Sequence, residues 1–143
     1  MDELKARALR YLVRREHSRD ELARKLAPYA ESNEILEGTL NWLESTNKLS
    51  NQRFAEMRAH ILARKYGAAR IRHDLKSKGV SEEVSDRAVA ELDEVAKAKE
   101  ILARKYRVPA TTREERAKRA RFLQGRGFSS DVIHRLVLRE EEA

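Results

Sequence analysis

The side chains best suited to chemistry in this chain are cations. Arg14 and Arg15 stand together, as do Arg64 with Lys65 and Arg104 with Lys105, while Arg70, Arg72, Lys76 and Lys78 follow one another at short spacing. Such groups recognise anions: arginine offers a planar fork to carboxylate or phosphate, and lysine a compact point charge. These ten residues are the candidate partner-binding set. Catalytic constellations lack their parts. His17, His60, His73 and His134 are scattered, without the HxxxH or HExxH spacing that sets two ligands on one helix face around a metal. The absence of cysteine removes disulfides, thiolate zinc sites and thiol nucleophiles together. Neither a GxxxxGKS/T phosphate loop nor a GxGxxG turn occurs, and Gly125-Arg126-Gly127 reads as the end of a helix. Serines and acids fall mostly where helix caps account for them. No catalytic residue, metal or cofactor is therefore expected.

The elements that position the cations are read as helices. Of 143 residues, 38% are charged and 41% apolar, and five Gly with two Pro are too few for the turns of a many-stranded β fold. The net charge of +7 is unevenly spread. Residues 1–48 balance 9 basic against 9 acidic side chains, residues 49–93 carry 9 against 7, and residues 94–143 carry 13 against 8. This excess favours anionic partners without naming an activity. Part of it is solvated helix surface, because Lys and Arg are good helix formers whose stems cover apolar area. No stretch approaches the roughly 20 apolar residues that span a bilayer, and Met1-Asp2-Glu3-Leu4 does not open a secretory signal. A cytoplasmic monomer that makes no membrane contact is expected.

Apolar residues recur at helical spacing: Leu4, Ala8, Tyr11 and Leu12; Phe54, Met57, Ile61 and Leu62; Val95, Ala98, Leu102 and Tyr106. Each stripe needs a neighbour to cover it. Ile61-Leu62-Ala63-Arg64-Lys65-Tyr66 recurs letter for letter as Ile101-Leu102-Ala103-Arg104-Lys105-Tyr106, and Leu75-Lys76-Ser77-Lys78-Gly79-Val80-Ser81 is echoed by Leu123-Gln124-Gly125-Arg126-Gly127-Phe128-Ser129. The second echo is displaced further than the first, which marks an insertion around Arg107-Val108-Pro109-Ala110. Ser18-Arg19-Asp20-Glu21 fits a capping box, and Thr112-Arg113-Glu114-Glu115 has the same form. These signals predict an all-α, elongated tandem array of three three-helix motifs, spanning 1–48, 49–93 and 94–143, the last the most basic. In the middle motif the helices are expected over 51–66, 68–78 and 82–93, with Gly79 left-handed after the second and Ser81 capping the third; Gly127 and Ser129 repeat that arrangement. The aromatic residues lie beside apolar stripes and read mainly as packing groups. The cations should recur along the molecule as a positive row.

On these motifs the chain resembles the RecX family, regulators of the RecA recombinase. The likeness runs through Ala8-Leu9-Arg10-Tyr11-Leu12-Val13-Arg14-Arg15-Glu16-His17-Ser18-Arg19-Asp20-Glu21-Leu22, then Arg53-Phe54-Ala55-Glu56. It continues through Tyr66-Gly67-Ala68-Ala69-Arg70-Ile71-Arg72-His73-Asp74-Leu75-Lys76-Ser77-Lys78-Gly79-Val80, and closes with Arg121-Phe122-Leu123-Gln124-Gly125-Arg126-Gly127-Phe128-Ser129. It departs from the family pattern where Asn51-Gln52 replace the usual acids after Ser50, and where Ala68-Ala69 stand in place of a proline after the glycine. The resemblance implies a crescent of three-helix motifs that lies in the groove of the RecA–DNA filament and restrains recombinase, ATPase and coprotease activities in DNA repair and the SOS response. The expected partner is thus the RecA filament, with weak non-specific contact to single- or double-stranded DNA. The alternative is a direct DNA binder, with Arg70 to Lys78 as a helix of helix-turn-helix type. Sparse Asn and Gln on that segment argue for phosphate contact rather than base reading.

Overall fold

The apolar stripes fold as helices throughout. The structure, a computed structural model, describes residues 2–138, and these contain no strand. The first motif comprises α1 (Asp2–Arg14), α2 (Arg19–Leu26) and α3 (Asn33–Ser45), with a short 3-10 turn at Ala27–Tyr29. The second comprises α4 (Asn51–Leu62), α5 (Ala68–Ser77) and α6 (Glu82–Ala90). The third comprises α7 (Glu94–Lys105), α8 (Arg113–Gly125) and α9 (Ser130–Ile133), the last running on as a π-helical segment over His134–Leu138. Among the described residues no helix is long and apolar enough to cross a membrane.

Local chemistry sets the helix ends. Ser18 Oγ accepts the Glu21 amide at 3.1 Å, and Glu21 Oε1 accepts the Ser18 amide at 3.3 Å, so the predicted capping box opens α2. At Thr112 only half of the expected box forms. Thr112 Oγ1 accepts the Glu115 amide, but the Glu115 carboxylate takes the amide of Thr111, one residue further out, at 2.7 Å. Gly79 and Gly127 are left-handed, with φ of 82° and 90°. In each case the next amide returns to the helix, Val80 to the Leu75 carbonyl and Phe128 to the Leu123 carbonyl, both at 3.1 Å. All three helices of the middle motif stop short of expectation, α5 by a single residue at Ser77. The helix α4 ends at Leu62 instead of 66, because the Arg64 and Lys65 amides bond to carbonyls only three residues back and tighten the chain into a turn. The helix α6 ends at Ala90 instead of 93, because Asp93 is extended and its carboxylate accepts the Ala96 amide to cap α7.

The chain groups into two compact units: residues up to Arg58 with Leu75–Ser85, and Ala59–Asp74 with the residues from Asp86 onward. Leu22, Leu26, Leu40 and Leu43 are fully buried in the first unit, packed with Leu4, Ala8, Leu36 and Leu49. Each such leucine contributes about 1.5–3 kcal/mol through burial. The second unit centres on Ala98, Ile101, Leu123, Phe128, Val132, Ile133 and Val137.

The two units use one stacking rule. In the first, the side chain of Asp20 near the start of α2 lies where a Cβ on Gly79 would fall. In the second, a Cβ on Gly127 would meet Arg70 Cβ, near the start of α5, at 2.6 Å. The opening residue of the following motif then caps the same helix: Asn51 Oδ1 accepts the Arg19 amide at 2.8 Å, and Glu94 Oε2 accepts the Ala68 amide at 3.1 Å. These contacts draw Leu75–Ser85 towards the first motif and Ala59–Asp74 towards the third.

Candidate functional site

In the second unit the turn after α4, the start of α5 and the ends of α7 and α8 converge. Helix ends leave carbonyls without intrahelical partners and carry partial negative charge. Arginines answer here: Arg104 Nη2 donates to the Arg64 carbonyl at 2.5 Å, Arg126 Nη1 to the Lys65 carbonyl at 3.3 Å, and Arg70 Nη1 to the Gly125 carbonyl at 3.3 Å. The backbones themselves touch. The Gly67 amide donates to the Arg126 carbonyl at 2.7 Å and the Ala69 amide to the Gly127 carbonyl at 3.3 Å, while a Cβ on Gly67 would lie 2.5 Å from the Gly127 oxygen. Glycine at 67 is thus required by close approach rather than by its own dihedral angles.

These contacts frame an open basin of about 760 Å³, lined by Arg64, Lys65, Arg70, Arg104, Lys105 and Arg126 with Tyr66, Ile101, Phe122 and Gly125. The Arg70 guanidinium lies 4.7 Å from the Tyr66 ring centre, Arg126 lies 5.1 Å from that of Phe122, and the Lys105 ammonium 4.3 Å from that of Phe122. Ring faces attract cations, and here they help fix their places. Among the described residues no carboxylate lines the basin. Three helix ends offset about half a charge each at most. Six formal positive charges therefore leave a clear excess, which an arriving anion relieves.

Five of the ten residues singled out in the sequence meet here: Arg64, Lys65, Arg70, Arg104 and Lys105. Arg72 lies outside the lining, its Nε 4.0 Å from Asp86 Oδ1. Arg14, Arg15, Lys76 and Lys78 belong to the first unit. Arg14 and Lys76 are exposed, Lys78 is half-buried, and Arg15 is engaged by Glu21 at 2.7 Å. Burial pushes the Glu21 carboxyl up, but the bonds and charge of Arg15 prevail and hold it below the usual carboxylate range. Arg126 was not among the ten. The repeat carries the signal for it, because Arg126 stands where Lys78 stands in the preceding echo. Arg119, one turn before Phe122 on α8, stacks on Tyr106 at 4.4 Å and donates to the Val108 carbonyl, tying down the inserted loop.

Among the described residues no group of three or more His, Cys, Asp or Glu is placed to hold a metal. His17 is buried, with Nδ1 3.0 Å from the Arg15 carbonyl and Nε2 2.8 Å from Lys25 Nζ. That pairing needs a neutral ring protonated on Nδ1, and burial pushes its pKa down. Its role is to hold the bend between α1 and α2.

Three family profiles match the chain in order: "RecX, first three-helix domain" over residues 5–43, "RecX, second three-helix domain" over 50–89, and "RecX, third three-helix domain" over 92–137. Relatives named "Regulatory protein RecX" include one from Ralstonia nicotianae, 48% identical with 94% of this chain and 86% of the relative covered. Another, from Herbaspirillum seropedicae, is also 48% identical, with 91% and 86% covered. A crystal structure of RecX from Lactobacillus salivarius aligns with a TM-score of 0.82 at 22% identity, covering 99% of this chain and 97% of that one. That likeness supports the tandem three-helix fold.

Proposed function

The chain belongs to the RecX family of regulatory proteins, and we propose that it acts without catalysis of its own, by binding the RecA–DNA filament in its groove and restraining recombinase, ATPase and coprotease activities. The observation that carries this reading is the cationic basin of Arg64, Lys65, Arg70, Arg104, Lys105 and Arg126, which no carboxylate among the described residues lines. A filament presents its surface at regular intervals, and a chain of repeated motifs, taken as 1–48, 49–93 and 94–143, can engage successive protomers. Weak contacts joined in one chain gain affinity through effective concentration. Arg14, Arg15, Arg72, Lys76 and Lys78 supply the remaining contacts. Inhibition then follows by bracing the filament against the rearrangements of its ATP cycle, or by occupying the groove that admits a second DNA.

A comparison of retention on naked DNA and on recombinase-coated DNA tests this. Retention of the chain on coated DNA at moderate salt, with weak and steeply salt-dependent binding to bare duplex, is the expected outcome. Tight binding to one bare sequence that survives moderate salt would replace the filament regulator with a direct DNA binder.

A further inference from the structure

The basin has a chemistry that contact with a long polymer does not require. Its six cations come from four separate stretches of chain and converge on one concavity, whose volume of about 760 Å³ falls within the range of small-ligand sites. A nucleic acid strand offers phosphates strung out about 3.4 Å apart along a duplex axis, which calls for a track of charge. Convergent charge suits a ligand that concentrates several negative charges on few atoms. The cations also divide by role. Arg70, Arg104 and Arg126 spend donors on the Gly125, Arg64 and Lys65 carbonyls, so they shape the wall and contribute field. Arg64, Lys65 and Lys105 are exposed, and among the described residues none of them has a carboxylate partner. Their donors are open to phosphate oxygens. Tyr66 and Phe122 are half-buried, and their rings hold Arg70, Lys105 and Arg126 in place around the basin.

We propose that this basin binds a compact oligophosphate, the phosphate chain of a nucleoside triphosphate or of inorganic triphosphate, with Arg64, Lys65 and Lys105 as its direct ligands. A ligand held there occupies the cations assigned above to the filament and competes with it, yet the binding itself belongs to the chain alone.

Calorimetric titration of the isolated full-length chain with ATP, and separately with inorganic triphosphate, tests the site without any recombinase. Amide and side-chain NMR shifts locate the binding. One saturable site is expected, with shifts centred on residues 64–70, 104–106 and 122–127. The Lys65→Ala/Lys105→Ala double variant should bind about tenfold more weakly or worse, with an unchanged unfolding midpoint because both side chains are exposed. Tighter binding of ATP than of inorganic triphosphate identifies the base as part of the ligand; equal binding identifies the phosphate chain as the whole of it. Any of three results overturns the proposal: no saturable binding, equal binding of citrate at matched ionic strength, or a short oligothymidylate that outcompetes ATP at the same residues. Failure here leaves the filament reading standing, because that reading is judged on coated DNA.

Discussion

At the scale of single residues, His17 links folding to pH. Its ring is neutral between the Arg15 carbonyl and the Lys25 ammonium, and burial depresses its pKa. A depressed histidine adds full stability above its unfolded value of about 6.5 and loses it as pH falls from there towards the folded value. Urea midpoints should therefore decline from pH 7 to pH 5, and His17→Gln should flatten that decline; an equal decline in the variant would remove His17 from the account. Two neighbouring glycines give an opposed pair. Gly127→Ala forces a Cβ into the left-handed region and onto Arg70, and should cost at least about 1–2 kcal/mol in chemical denaturation. Gly125→Ala adds a Cβ to a helical position with open space around it, and should be neutral or stabilising by up to about 1 kcal/mol. The left-handed glycines were legible, since each follows a helical stripe and precedes a serine cap. Gly67 was not, because what demands it is the Gly127 backbone far along the chain.

Helices were legible in number, order and most of their starts, because caps and apolar spacing are local. Their ends were less so. Nothing near Tyr66 in sequence shows that the chain turns after Leu62, and Asp93 reads equally as the end of α6 or the start of α7. The caps exchanged between motifs were hidden for the same reason. Asn51 stands where the family resemblance leads one to expect an acid, yet its Oδ1 still supplies the acceptor for the Arg19 amide. Asn51→Ala should therefore cost about 1 kcal/mol of stability through one lost hydrogen bond. Glu94→Gln, which keeps a carbonyl oxygen facing the Ala68 amide, should cost appreciably less. Equal losses in thermal unfolding would show that charge, not the acceptor, sets the stacking of one motif on the next.

For the whole molecule, a periodic scaffold was readable from the repeated Ile-Leu-Ala-Arg-Lys-Tyr and its downstream echo. The grouping of the middle motif's segments with its two neighbours was not, since it arises from glycine contacts between helices distant in sequence. The same holds for the basin. The repeated Arg-Lys pairs drew attention to Arg64, Lys65, Arg104 and Lys105, but their convergence depends on arginine side chains reaching the carbonyl ends of other helices. Arg126 is signalled only by its place in the echo, where Lys78 stands in the preceding motif. Regulation by this chain, as proposed, requires this charge to meet a filament. The most direct measurement is the DNA-dependent ATPase of the cognate recombinase, titrated with the chain and with a Lys65→Glu/Lys105→Glu variant of unchanged helical signal. The native chain should lower the rate in a saturating manner and the variant should fail to do so. Equal inhibition by both would contradict the assignment of the basin to filament contact.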